Sequence, residues 1–346
     1  MSAQRILVFP DCGPRIGGGH VMRCLTLTRA LIARGATCAF AATPETQAVL
    51  QTFAAPDIDV LPVEGALEDA IVTVANWAES FDADWVLLDH YFLNAAQEGA
   101  LREGRRLAAV DDLANRPRAA DLIMDSAYGR TDADYRPWLP ENATILTGPA
   151  YAPVRPEFAA RREAALAHRR EGGHLRHVLI SLGLTDVDGI TLMVVQALRP
   201  LLDGLIVDVV VGSAAASLQP LCRAAKTDAN LRLHVDTHDM AGLMAAADIA
   251  IGAGGSSTWE RATLGLPTVS VLLAENQRPM ARAMADDGLI LTADVGDPRF
   301  EANLTGVVAR LIGDPALRRQ LSERSAAACD GLGADRFADA LLNPAP

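Results

Sequence analysis

A chain of 346 residues is longer than one hydrophobic core ordinarily organises, which favours two α/β domains. Half of the residues are hydrophobic and no low-complexity excess of Pro or Gly is present, which excludes a disordered or fibrous protein. A formal net charge of -12 at pH 7 argues against a general nucleic-acid or anionic-membrane surface, so any phosphate held is expected on backbone amides or in a local pocket.

Short apolar runs alternate with helical patterns along the chain. The first half predicts strands at 5–11, 37–43, 58–63, 85–89, 107–111, 122–125 and 144–148, with helices at 20–33, 44–53, 67–80 and 95–103. The charged, alanine-rich stretch 157–176, with Gly172-Gly173 near its end, predicts a connecting segment. A second series follows, with strands at 177–182, 205–211, 231–235, 249–251, 268–272 and 289–291 and helices at 190–202, 217–225, 240–246, 256–264 and 277–286. Helices at 303–311 and 315–329 either complete the second domain or cross back to the first. Such alternation predicts two Rossmann-like domains with parallel sheets, residues 1–158 and 175–346, facing across a cleft lined by C-terminal strand ends. Cys12, Cys24, Cys38, Cys222 and Cys329 are scattered without C-x-x-C pairing, which fits reduced thiols better than a disulfide framework or a zinc site. With no secretory-leader pattern after Met1 and no long uncharged apolar span, the expectation is a cytoplasmic protein without membrane insertion.

Chemistry-bearing residues cluster at the ends of predicted strands. In DCGPRIGGGH the strand ending at Asp11 leads through Gly17, Gly18 and Gly19 to a helix start, whose free amides suit an anion or a polar substrate group. His20 at that positive end is favoured as a neutral ring able to act as general base; the alternative is a half-buried histidine capping its own helix. Arg23, one turn on, is a phosphate or carboxylate contact in the first case and a solvated side chain in the second. The pattern is neither a Walker A loop nor G-x-G-x-x-G. Asp89, His90 and Tyr91, then Asp111, Asp112 and Asp125, end buried strands where an active cleft opens, although each aspartate taken singly also suits loop capping. Gly183 in SLGLTD offers another turn against a ligand. In IAIGAGGSSTWER, Gly252, Gly254, Gly255, Ser256 and Ser257 suit a pyrophosphate, and Glu260 either accepts from ribose hydroxyls or forms an S-x-x-E capping box with Ser257. No stacking platform for nucleic-acid bases recurs.

Taken in order, the segments at 11–27, DHY at 89–91, VDD at 110–112, ADLIMDSAY at 120–128, GPAYAPVRPEF at 148–158, SLGLTD at 181–186, GAGGSSTWERATLGLP at 252–267 and ENQ at 275–277 resemble the PseG family, the UDP-sugar hydrolases of pseudaminic acid biosynthesis. The first matches that family's D-x-x-x-x-I-G-x-G-H-x-x-R-x-L-x-L signature. The resemblance implies a GT-B fold, shared with a bacterial UDP-N-acetylglucosamine transferase. It also implies hydrolysis of UDP-2,4-diacetamido-2,4,6-trideoxy-β-L-altropyranose to the free hexose and UDP, by anomeric C–O cleavage with inversion and without a metal or other cofactor. His20 matches the water-activating histidine and Tyr91 a tyrosine near the sugar, and Asp11 completes the catalytic set. Gly17, Gly18, Gly19, Arg23, Asp89, Tyr151 and Gly183 are implied around the substrate. Gly254, Gly255, Ser256 and Ser257 fall at the phosphate turn, Glu260 at the ribose, and Asn276 and Gln277 against the nucleotide-sugar. The expected partners are the UDP-sugar and UDP alone, with no nucleic acid, bound by a monomer. Two positions depart from the family pattern: Leu184 replaces the second glycine of S-x-G-G-x-D, and Asp125 stands where asparagine is common, adding a negative charge. A GT-B glycosyltransferase and a non-catalytic sugar-nucleotide binding protein are the alternative functions.

Overall fold

The computed structural model describes residues 3–13, 16–54, 58–171 and 174–343. Pro14 and Arg15 of the opening motif and the Gly172-Gly173 pair lie outside them. The chain forms two compact units, Met1–Pro153 with Leu332–Pro346, and Val154–Gly331.

In the first unit β1 (Arg5–Pro10), α1 (Gly19–Ile32), β2 (Thr37–Ala42), α2 (Pro44–Phe53), β3 (Asp59–Pro62), α3 (Leu67–Ser80), β4 (Trp85–Asp89), α4 (Ala95–Arg102), β5 (Arg106–Val110), β6 (Leu122–Asp125), α5 (Asp132–Tyr135) and β7 (Thr144–Thr147) follow one another. Among the described residues the seven strands pair in the order β3-β2-β1-β4-β5-β6-β7, all parallel. Strand side chains alternate between faces, so β1 sends Ile6 and Val8 to one core and Leu7 and Phe9 to the other. Burial on both faces explains why β1 reads as an uninterrupted apolar run. Along α1, Val21, Cys24, Leu25, Thr28 and Leu31 recur at three- and four-residue spacing and are buried, which seats the helix on the sheet.

The second unit contains α6 (Pro156–Glu171), β8 (His177–Ser181), α7 (Ile190–Leu198), β9 (Ile206–Val211), α8 (Leu218–Thr227), β10 (Leu231–Val235), α9 (Met240–Ala246), β11 (Ile249–Ala253), α10 (Ser257–Thr263), β12 (Thr268–Leu272), α11 (Arg278–Asp286), β13 (Leu291–Asp294), α12 (Phe300–Gly313) and α13 (Pro315–Ala328). Its strands are again parallel, in the order β10-β9-β8-β11-β12-β13. The last strand starts where the sequence pattern ends it: Leu291 pairs with Val269, while Leu289 and Ile290 are buried ahead of the sheet. Burial of that apolar pair, not strand pairing, produced the signal at 289–291.

Two segments depart more widely from the sequence expectation. The stretch predicted as a connector is a helix, α6, built into the second unit from Pro156. Arg162 donates to the carbonyls of Thr263, Ala326 and Cys329, and Arg169 to those of Met244 and Ala247, capping the buried C-terminal ends of α9, α10 and α13. The final helix, α14 (Gly333–Leu342), was not expected as a separate element and belongs to the first unit. Ala334, Phe337, Ala338 and Leu341 complete the core beneath α1, and Arg34 binds Asp335 (2.8 Å) and Asp339 (2.6 Å). Gly333 enters against the backbone of Ala152, which a Cβ would approach to 2.3 Å. Among the described residues no helix is long and apolar enough to cross a membrane.

Candidate active site

The strand order of the first sheet reverses between β1 and β4, and open α/β sheets bind ligands outside the carboxyl ends of the strands at such a point. The chain places its polar residues there. Asp11 follows β1 and donates its backbone N–H to the Asp89 carbonyl at 2.8 Å. Asp89 ends β4 with only 1% of its surface exposed.

His20 is the second residue of α1, and its Nδ1 lies 2.5 Å from Asp89 Oδ1. The helix start carries no side-chain cap, so the ring serves Asp89 and not its own helix. Met22 is the first residue whose N–H bonds back, to Gly18 O at 3.1 Å, which leaves the amides of Gly19, His20 and Val21 without intrahelical acceptors. The three glycines differ in purpose: Gly17 closes a turn onto Gly13 O at 2.7 Å, a side chain on Gly18 would press on Val49 at 3.3 Å, and Gly19 faces open space.

Arg23 and Asp89, expected against the substrate, are bound to each other. Arg23 Nε reaches Asp89 Oδ2 at 2.7 Å and Nη2 reaches Oδ1 at 2.6 Å, the bidentate geometry that favours Arg over Lys. Burial alone would raise the Asp89 pKa, but Arg23 and His20 outweigh it and hold the carboxyl well below the usual range. Arg23 in turn stays charged: burial opposes the cation, and Asp89 more than compensates.

Tyr91 sets its ring edge-on to His20, with centroids 4.7 Å apart, and donates its hydroxyl to Asp112 Oδ2 at 2.9 Å. Burial and the facing Asp112 push the phenol pKa up, so Tyr91 remains neutral and is no base. His90 Nδ1 accepts the Phe92 N–H at 3.1 Å, and burial lowers its pKa despite Asp11, 3.7 Å away. Asp11 Oδ2 is buried without a hydrogen-bond partner among the described residues. The charge added by Asp125 is met locally: its carboxylate accepts from Ala127 N (2.7 Å), Arg130 Nε (2.6 Å) and Tyr135 Oη (2.8 Å). Tyr151 packs against the core that α1 and α14 share.

In the second sheet the order reverses between β8 and β11, and the glycine turns of SLGLTD and GAGGSS follow those two strands. Gly183 (φ 112°) has open space around it. Leu184 has no positive φ, so leucine replaces the family's glycine there without backbone strain, and its carbonyl accepts the Gly212 N–H at 3.0 Å. Asp186 braces this loop from beneath, accepting from Thr191 N, Ser217 N and the Ser217 hydroxyl.

Gly255 opens onto free space, Ser256 is exposed and Ser257 is half-buried. Gly252 does not make room for a ligand, as its place in the motif suggested; the Arg261 guanidinium fills the space, 2.5 Å from where a Cβ would stand. The capping box proposed for Ser257 and Glu260 is absent, since α10 has no side-chain cap. Glu260 instead accepts from Arg155 Nε at 2.9 Å, and the Arg155 guanidinium lies over the Phe158 ring. Gln277 accepts the Leu273 N–H at 3.0 Å and sits against Gly254, beside the exposed Asn276. Asp112, expected with the other strand-end acids at the cleft, is brought to Tyr91 and lies 3.6 Å from Arg23; Arg155 and Arg261 carried no functional expectation. Arg155 and Arg261 stand inside quoted motifs, but only the fold reveals their partners.

No protein-family model matches the chain. The spore coat polysaccharide biosynthesis protein SpsG of Bacillus subtilis is 29% identical over 218 residues, a match spanning 62% of this chain and 62% of that protein, less than two thirds of its length. The UDP-2,4-diacetamido-2,4,6-trideoxy-beta-L-altropyranose hydrolase of Campylobacter jejuni is 23% identical over 288 residues, 82% of this chain and 97% of that enzyme, so the resemblance to PseG-type proteins extends beyond the motifs. Acinetobacter baumannii MurG superposes with a TM-score of 0.69 at 15% identity, covering 98% of this chain and 99% of that one, which places the two α/β units in the GT-B class.

Proposed function

We propose that the chain hydrolyses a UDP-linked 2,4-diacetamido-2,4,6-trideoxyhexose at the anomeric C–O bond, releasing UDP and the free sugar. The observation that carries this reading is the His20–Asp89 pair at the sheet's switch point. With Nδ1–H donated to Asp89, the ring keeps its Nε2 lone pair to take a proton from water. Water oxygen bonds to C1 as the C1–O bond breaks; the electron pair leaves on the β-phosphate oxygen of UDP and the water proton passes to Nε2. UDP is a good leaving group, so the chemistry asks chiefly for an aimed water and a held diphosphate.

Asp89 orients the ring, Arg23 fixes Asp89, and Tyr91 limits the ring's rotation from its edge. Asp11, whose buried Oδ2 has no hydrogen-bond partner among the described residues, and Gly17, Gly18, Gly19, Tyr151 and Gly183 are assigned to the sugar side. Glu260, steadied by Arg155, is assigned to the ribose hydroxyls, Gly254, Gly255, Ser256 and Ser257 to the diphosphate, and Asn276 and Gln277 to the nucleotide-sugar. Further support is the name of the Campylobacter relative and the order of shared motifs.

The test is incubation of the purified protein with a panel of UDP-diacetamido sugars, followed by NMR. Equal amounts of free hexose and UDP without any acceptor are expected, with inverted anomeric configuration in the first product formed. Release that depends on an added acceptor would establish a transferase instead. His20→Asn should slow UDP release by about 100-fold or more while UDP affinity stays within about threefold. Unchanged turnover would remove His20 as the base.

A further inference from the structure

Arg261 ranks among the largest fully buried side chains of the protein, with 1% of its surface exposed. A buried cation normally has a carboxylate partner, because leaving water costs several kcal/mol that an opposite charge must offset. Arg261 lacks one: Nη1 donates to Ser257 Oγ at 2.9 Å, and Nη2 to Ala253 O at 2.7 Å and Thr258 Oγ1 at 3.1 Å, all neutral oxygens. Its Nε has no hydrogen-bond partner among the described residues. Burial lowers its pKa to about 10, against the opposite pull of Glu260, and leaves it a cation at neutral pH. The guanidinium lies directly beneath the β11–α10 turn, in the space that Gly252 leaves empty.

The geometry points to Arg261 as the positioning residue of a diphosphate site, resting on the UDP-sugar reading above: it fixes the Ser257 hydroxyl as an outward donor and sets a permanent positive charge behind the Gly254–Ser257 turn. A hydroxyl that accepts from a guanidinium has its own proton left to give, and Ser257 is half-buried beside the open space at Gly255. α10 has seven residues, too short for a strong macrodipole of its own, so the buried cation supplies what the helix does not. The missing counter-charge is then the ligand's diphosphate, and charge-assisted hydrogen bonds through Ser257 are the contact it receives.

The test is calorimetric titration of the full chain with UDP and with uridine, which lacks the phosphates. Arg261→Gln should weaken UDP by about tenfold or more and leave uridine within about twofold; Arg261→Lys should restore part of the loss. Ser257→Ala should be similarly selective, and the double variant should lose less than the sum of the single losses. Parallel loss of UDP and uridine, additive losses, or no loss of UDP would overturn the assignment. Should Arg261→Gln fail to fold, Ser257→Ala decides alone: selective loss of UDP upholds the site, and parallel or absent loss ends it. Wild-type protein that binds neither molecule would overturn the nucleotide reading itself, a result distinct from binding that ignores Arg261.

Discussion

An imidazole committed through Nδ1 to a buried carboxylate has one nitrogen left for chemistry, and here that carboxylate is itself clamped by an arginine. Asp89→Asn should therefore lower the hydrolysis rate by about 100-fold or more, because the amide can hold the wrong ring tautomer. It should also cost about 3–5 kcal/mol of stability near pH 6, since the buried Arg23 loses its bidentate partner and keeps only Asp112, 3.6 Å away. The pH dependence has a definite sign. The folded-state pKa of Asp89 is depressed, so its contribution is complete above the unfolded value of about 4 and is lost as pH falls below it. Melting temperatures of wild type and Asp89→Asn, well separated at pH 6, should converge on acidification below pH 4; a constant gap would place the stabilisation elsewhere. His20 was legible because glycines and a helix start surround it in sequence. Its bond to Asp89 was not, since 69 residues separate the two and only the β1–β4 pairing joins them. Gly252 shows the opposite difficulty: a glycine marks close approach, but sequence does not say by what, and here the visitor is the protein's own guanidinium.

Elements with a buried face were legible wherever periodicity was read against a single neighbour. The strands of both sheets and α1, α2 and α3 follow from apolar spacing, with α2 begun by Thr43 at its cap and Pro44 in its first turn. α6 was missed as part of a domain because its arginines resemble a solvated face, whereas Arg162 and Arg169 spend their charge on the carbonyl ends of other helices. α14 carried the signal in full, with Ala334, Phe337, Ala338 and Leu341 at helical spacing, but nothing in that pattern says which core it enters. Phe337 is fully buried beneath α1, so Phe337→Ala should cost about 3–5 kcal/mol in urea unfolding of the first unit. A cost below about 1 kcal/mol would mean that α14 adds little to that core.

Across the whole molecule the predicted boundaries at 158 and 175 give way to a discontinuous arrangement: the chain leaves the first unit after Pro153 and returns at Leu332. Residues 154–331 expressed alone should unfold cooperatively, since the core cluster built around Val178, Ile251 and Leu304 takes its residues from within that range. Residues 1–153 alone should bind a hydrophobic dye and melt broadly, and adding a peptide of residues 332–346 should sharpen the transition. Sharp melting without the peptide would contradict the shared core. The same route governs the order of events on the ribosome. The stretch that becomes the first unit emerges early yet waits for Phe337 and Leu341, which are translated only after the whole of the second unit, while that unit can finish folding before them. A half-built first unit must then survive while residues 154–331 are made, and termination before Phe337 would strand the part of the protein that carries His20.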